Sequence, residues 1–87
     1  GNFFLSQNFP NPFNPTTRIT FSLPERTFTS LKIYDVSGRE VKTYLNAVTS
    51  PGTYTVTFDG TGLSSGVYFY RLITDKFMES KKMVLIK

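Results

Sequence analysis

The chain has 87 residues, a net charge of +4, and no cysteine, histidine or tryptophan. Those absences remove disulfides, thiol and imidazole chemistry and the usual zinc ligands together, and whole enzyme classes with them. The length holds one domain, residues 1–87, with one core and a stability of about 5 kcal/mol. The chain opens on Gly1 without a signal peptide and has no apolar run of membrane-spanning length, so it is expected to be soluble and cut from something longer. Nine Phe and five Tyr supply much of the apolar content, and aromatic and β-branched residues favour a pleated surface.

Residues 1–7 read as a linker remnant or a first edge strand. Asn8-Phe9-Pro10-Asn11-Pro12-Phe13-Asn14-Pro15 follows, where three prolines fix φ and remove ladder donors. It is expected to be an irregular edge whose Phe9 and Phe13 plug an end of the fold. Arg18 to Leu23 alternates, with Ile19, Phe21 and Leu23 inward, and Pro24 closes it. Leu31 and Ile33 point inward in the next strand, with Lys32 and Tyr34 opposite. Asp35-Val36-Ser37-Gly38 has a type I turn composition and joins this strand as a hairpin to Val41, Thr43 and Leu45, which alternate with Lys42 and Tyr44.

Thr53 to Phe58 is the clearest strand, with Tyr54, Val56 and Phe58 on its inner face. Val67 to Thr74 is apolar on both faces and is expected to be covered on both, either as a central strand or by a capping element. Met78 to Ile86, after the Asp75-Lys76 turn, also reads as buried twice. Helical spacing recurs nowhere, so no helix is expected. About seven short strands joined by turns too short for parallel crossovers predict an all-β fold, an antiparallel sandwich of immunoglobulin type.

Six carboxylates exist, and a general acid/base pair needs two converging in a pocket. Asp35 and Asp59 sit in turns, where such side chains hydrogen-bond their own backbone, and Glu25, Glu40, Asp75 and Glu79 read as exposed charges. No loop clusters oxygens for calcium, and neither Gly60-Thr61-Gly62 nor Ser65-Gly66 precedes a helix that would cradle phosphate. No enzyme, metal or cofactor is expected. Four of the lysines, Lys76, Lys81, Lys82 and Lys87, lie with Glu79 in the last twelve residues. One basic strand tracks phosphates poorly and reads as edge lysines that discourage aggregation, so no nucleic-acid partner is expected. Among Tyr34, Tyr44, Tyr68 and Tyr70, the first two lie on the polar sides of their strands and are candidates for an exposed aromatic patch.

Four ordered stretches carry a resemblance: Asn8 through Thr17, Leu31 through Val41, Ser64 through Leu72, and Lys82 through Lys87. Together they resemble the type A C-terminal sorting domain of the type IX secretion system of Bacteroidetes-related bacteria. The resemblance implies an immunoglobulin-like domain that directs a cargo protein, joined N-terminally in the same chain, across the outer membrane. The cargo passes through the periplasm to the cell surface or medium. The implied partners are the secretion machinery, including an outer-membrane shuttle barrel, and a sortase. Carried over by motif, the recognition residues are Pro10, Asn11 and Pro12, then Gly66 and Tyr68, then Lys81, Lys82 and Val84. Two alternatives remain open. One is a structural assembly domain of the flagellar hook-capping type, and the other is a carbohydrate-binding module using Tyr34 and Tyr44. An exposed edge strand also makes weak dimerisation or strand exchange an expectation.

Overall fold

Alternation at period two gives each strand one apolar row, and burying those rows against each other takes two facing sheets. The computed structural model, which describes residues 1–87, forms seven strands: β1 (Phe4–Leu5), β2 (Thr16–Leu23), β3 (Thr27–Tyr34), β4 (Glu40–Thr49), β5 (Gly52–Asp59), β6 (Gly66–Thr74) and β7 (Met78–Leu85). All pairings between them are antiparallel. One sheet has the order β1-β2-β5 and the other β4-β3-β6-β7. This is the expected all-β sandwich, and residues 1–7 supply its short first edge strand.

The alternating residues meet between the sheets. Ile19, Phe21 and Leu23 of β2 and Phe58 of β5 face Leu31 and Ile33 of β3, Tyr68, Tyr70 and Leu72 of β6, and Met83 and Leu85 of β7. Full burial of each such side chain contributes about 1.5–3 kcal/mol, and the core is built almost wholly from them. β6 is central in its sheet, between β3 and β7, although its outer apolar row is not covered. No layer covers its outer face, where Phe69 is exposed and Val67 and Ile73 are half-buried.

Two expectations need correction. Met78 to Ile86 is not buried on both faces, because no layer covers the outer face of its sheet: Met83 and Leu85 are buried, Val84 is half-buried and Ile86 is exposed. Phe9 does not plug the sandwich either. It exchanges backbone hydrogen bonds with Arg18 in both directions, and its ring is 71% exposed. Phe13 alone fills the gap, 1% exposed and edge-on to the Phe58 ring at 5.8 Å between centroids.

That division of labour predicts unequal costs. Phe13→Ala should destabilise the domain by about 3–5 kcal/mol and lower Tm by well over 10 °C, because it empties a core site. Phe9→Ala should stay within about 0.5 kcal/mol of the parent. Thermal melts of the two variants measure the contrast.

Candidate functional site

Pro10 and Pro12 have no N–H, so the segment around them has few donors with which to build a regular ladder. Side-chain amides fill the gap. Asn8, 2% exposed, donates from Nδ2 to Thr17 Oγ1 at 3.0 Å and to the Pro10 carbonyl at 3.2 Å, and Thr17 Oγ1 donates to the same carbonyl at 2.8 Å. Gln7–Phe13 thereby becomes a strap fixed to β2 at one side.

At its other side the strap lies along the free edge of β7. The Phe13 N–H donates to the Val84 carbonyl at 2.9 Å, and the Ile86 N–H donates to the Phe13 carbonyl at 2.9 Å. The Val84 N–H donates to Asn11 Oδ1 at 3.0 Å, and Gln7 Nε2 donates to the Lys82 carbonyl at 2.8 Å. In an antiparallel strand alternate residues direct both backbone groups to one side. The outward groups of Val84 are therefore both occupied, as are the Ile86 N–H and the Lys82 carbonyl. Lifting the strap would expose Phe13, worth about 1.5–3 kcal/mol, and break four hydrogen bonds of about 0.5–1.5 kcal/mol each. The total is on the order of 5 kcal/mol, comparable with the whole stability of so small a domain.

Several motif residues meet here. Gly66 pairs with Leu85 and Tyr68 with Met83 across the β6–β7 ladder, next to the strap. Gly66 has φ +148°, a conformation side-chain-bearing residues rarely adopt, and it opens β6 at this corner. Gly60 closes the corner from beneath. A Cβ there would lie 3.0 Å from Leu85 Cδ2 and 3.3 Å from the Pro15 carbonyl oxygen, which already accepts the Gly60 N–H.

The corner does not gather every predicted residue on one surface. Pro10, Asn11, Pro12 and Lys82 are exposed and Val84 is half-buried, whereas Tyr68 is a core residue whose hydroxyl donates to the Ser64 carbonyl at 2.7 Å. Lys81 and Lys82, as successive strand residues, point to opposite faces. Lys81 pairs with Glu79 at 3.2 Å, and Lys82 lies across from Phe69 on the outer face. Gln7, Asn8 and Phe13 hold the strap in place, and they were not singled out as recognition residues. The proline spacing was the available signal, since chain without N–H donors needs polar side chains in their place.

Tyr34 and Tyr44 do not form one patch. The β3–β4 register shifts between Leu31 and Lys32, leaving Tyr44 without a partner, and such a bulge changes which face a side chain occupies. Tyr44 accordingly packs against the core and donates its hydroxyl to the Thr57 carbonyl of the other sheet at 2.9 Å. Tyr34 stays on the outer face, with the Arg71 guanidinium 5.3 Å from its ring centroid.

The carboxylates are held in turns. Asp35 accepts from the Ser37 hydroxyl and from the Ser37 and Arg39 amides, and Asp59 accepts from the hydroxyl and amide of Thr61. These donors keep both carboxyls below their usual pKa, opposite to the raised value a general acid needs. Glu40 is likewise lowered by the Thr43 hydroxyl and Lys32. An open hollow of about 510 Å³ lies between the β3–β4 turn and the β5–β6 loop, and its one carboxylate is the already committed Asp35.

The class these features define is an immunoglobulin-like antiparallel sandwich whose proline-rich strap closes the edge of its last strand. The chain belongs to the secretion system C-terminal sorting domain family, whose model matches residues 7–87. As the sequence resemblance implied, it is a sorting signal of the type IX secretion system that directs its cargo to the cell surface or the extracellular medium. No curated protein matches it in sequence. Among solved structures it is similar to PorZ, an essential bacterial surface component of the type IX secretion system of Porphyromonas gingivalis. The likeness has a TM-score of 0.62 and 21% identity over 98% of this chain, which spans 11% of that protein's length. The shared feature is the fold.

The segment leading into the strap is fastened from below. Tyr70, fully buried, donates its hydroxyl to the Ser6 carbonyl at 2.6 Å, and burial pushes its pKa from 10.0 up to about 12. The folded state thus holds the proton longer than the unfolded chain does. Its contribution is complete below pH 10 and is lost as pH rises through about 12. Chemical denaturation from pH 9 to 12 should show the parent losing on the order of 2 kcal/mol more than Tyr70→Phe, which lacks the proton.

Proposed function

We propose that residues 1–87 act as one non-catalytic module, an address recognised by outer-membrane machinery on behalf of a cargo domain in the same chain. The partners in this reading are a shuttle barrel, which selects the cargo, and a sortase, which processes it at the surface. The recognised region is the corner where Pro10-Asn11-Pro12 lies along Lys82 and Val84, with Gly66 and Tyr68 shaping it from β6 and Lys81 at its rim. The observation that carries this is the hydrogen bond from the Val84 N–H to Asn11 Oδ1, which joins motifs 73 residues apart. Family membership supplies the transport role.

Neither alternative has an observation of its own. The assembly-domain reading shares only the fold, and the carbohydrate-binding reading relied on a pair of tyrosines that face different ways. The unpaired edges of β4 and of the Met78–Ser80 end of β7 offer backbone groups through which a weak dimer would form.

The experiment is an export assay in a type IX-secreting bacterium, with a periplasm-targeted reporter fused ahead of residues 1–87. The parent should deliver the reporter to the surface or medium. Lys81→Glu combined with Lys82→Glu should retain it in the periplasm, lowering delivery about tenfold or more, while the purified variant melts as the parent does. Undiminished delivery by a folded double variant would remove these lysines from the recognised region.

A further inference from the structure

We infer that the surface presented to the export machinery at this corner is composite, formed by the strap docked on β7, and that it exists only once the whole domain has folded. This rests on the reading that the corner is the recognised region. A sorting signal ending in an apolar, lysine-rich strand invites recognition by strand addition, in which a partner pairs with the free backbone edge. Along Lys82–Ile86 that edge is already occupied: both outward groups of Val84, the Ile86 N–H and the Lys82 carbonyl bond to Gln7, Asn11 and Phe13.

The strap is also poorly disposed to leave. Phe13 is wedged against Phe58, and Asn8 is buried with its Nδ2 bonded to Thr17 and Pro10. Displacement strips an aromatic from the core and unpairs a buried amide in one step. A partner that meets the docked strap therefore finds side chains rather than a ladder. Pro10 and Pro12 offer apolar rings without N–H groups, the preceding Phe9 is 71% exposed, Ile86, bonded to Phe13, is 48% exposed, and Lys82 is bonded to the strap through Gln7. Lys32, Lys76 and Lys81 each have a carboxylate partner, whereas Lys82, like Lys42 and Lys87, has none and is the one that lies beside the docked strap. The surface fits a preformed apolar groove with an acidic side chain opposite Lys82.

Because strap and strand come from opposite ends of the sequence, this surface reports that the last strand is in place. An unfolded or half-folded domain has the same residues and lacks the surface. Recognition thereby becomes conditional on folding.

The test uses the export reporter with the full domain and variants that loosen the strap. Asn11→Ala removes the acceptor of the Val84 N–H, Asn11→Asp keeps an acceptor oxygen there, and Gln7→Ala frees the Lys82 carbonyl as a milder change. Hydrogen exchange at the Val84 amide of the purified domains measures docking directly. Asn11→Ala should lower Val84 protection and reporter delivery together, each by about fivefold or more, and Gln7→Ala should lower both by less. Asn11→Asp should retain both. Delivery by Asn11→Ala equal to or above the parent, with Val84 protection lost, would show that a bare strand is read and overturn the inference. The corner reading would then still stand on the Lys81 and Lys82 charge reversal. Loss of delivery with Val84 protection intact would equally overturn it, by assigning Asn11 a direct contact instead. Should Asn11→Ala fail to fold, the paired readouts of Gln7→Ala decide.

Discussion

The pairing of the strap with the outer edge of β7 is the constraint on which the rest of this molecule depends. A four-stranded sheet facing a three-stranded one has an edge that the smaller sheet does not reach, and an exposed edge is a template for unwanted pairing. Here the chain's own early residues lie along the C-terminal half of that edge. The prolines then prevent the strap from becoming a new edge, because Pro10 and Pro12 have no N–H to offer a further strand. One segment thus fills the gap beside Phe58 with Phe13 and satisfies the outward backbone of the C-terminal half of the last strand.

The aromatic side chains work in the same sense. Tyr44, Tyr54, Tyr68 and Tyr70 each donate a hydroxyl to a backbone carbonyl, of Thr57, Ser50, Ser64 and Ser6 respectively. A buried or half-buried phenol needs a partner, and an irregular segment has carbonyls to spare. The tyrosines therefore tie loops and edges to the core. Only Tyr34 escapes this role, stacked instead under Arg71 on the outer face. With the carboxylates of Asp35 and Asp59 spent on their own turns, the polar chemistry of the chain is directed at its backbone, and the surface left to a partner is one of shape, apolar rings and a few lysines.

Much of this was legible in the sequence. Period-two alternation located β2 through β7, since one apolar row per strand is a local consequence of burial; Val67–Thr74, apolar on both faces, is an inner strand although its outer row is uncovered. The turns at Asp35 and Asp59 were equally local. What periodicity does not encode is whether a second layer covers a face, so Met78–Ile86 read as buried twice although only Met83 and Leu85 are. Nor does it reveal a bulge. Counting by twos from Val41 put Tyr44 on the polar side, and the unpaired residue at the Leu31/Lys32 shift turned it to the core. Phe9 and Phe13 look alike in sequence, and their different bridges separate them, Phe9 to Arg18 of β2 and Phe13 to Leu85 of β7.

The site was harder to read than the fold for a related reason. Its motifs were visible one at a time, as a proline-rich entry and a basic last strand, but the bond that unites them spans 73 residues. Contacts of that span close late and gain nothing until the intervening chain is ordered. In a domain with no disulfide and only a modest core, a strap whose release costs about as much as the domain's stability cannot detach without endangering the fold. Fold and proposed address are therefore one structure: the Pro10-Asn11-Pro12 strap and the Lys82–Val84 stretch are held in place by the residues that complete the sandwich.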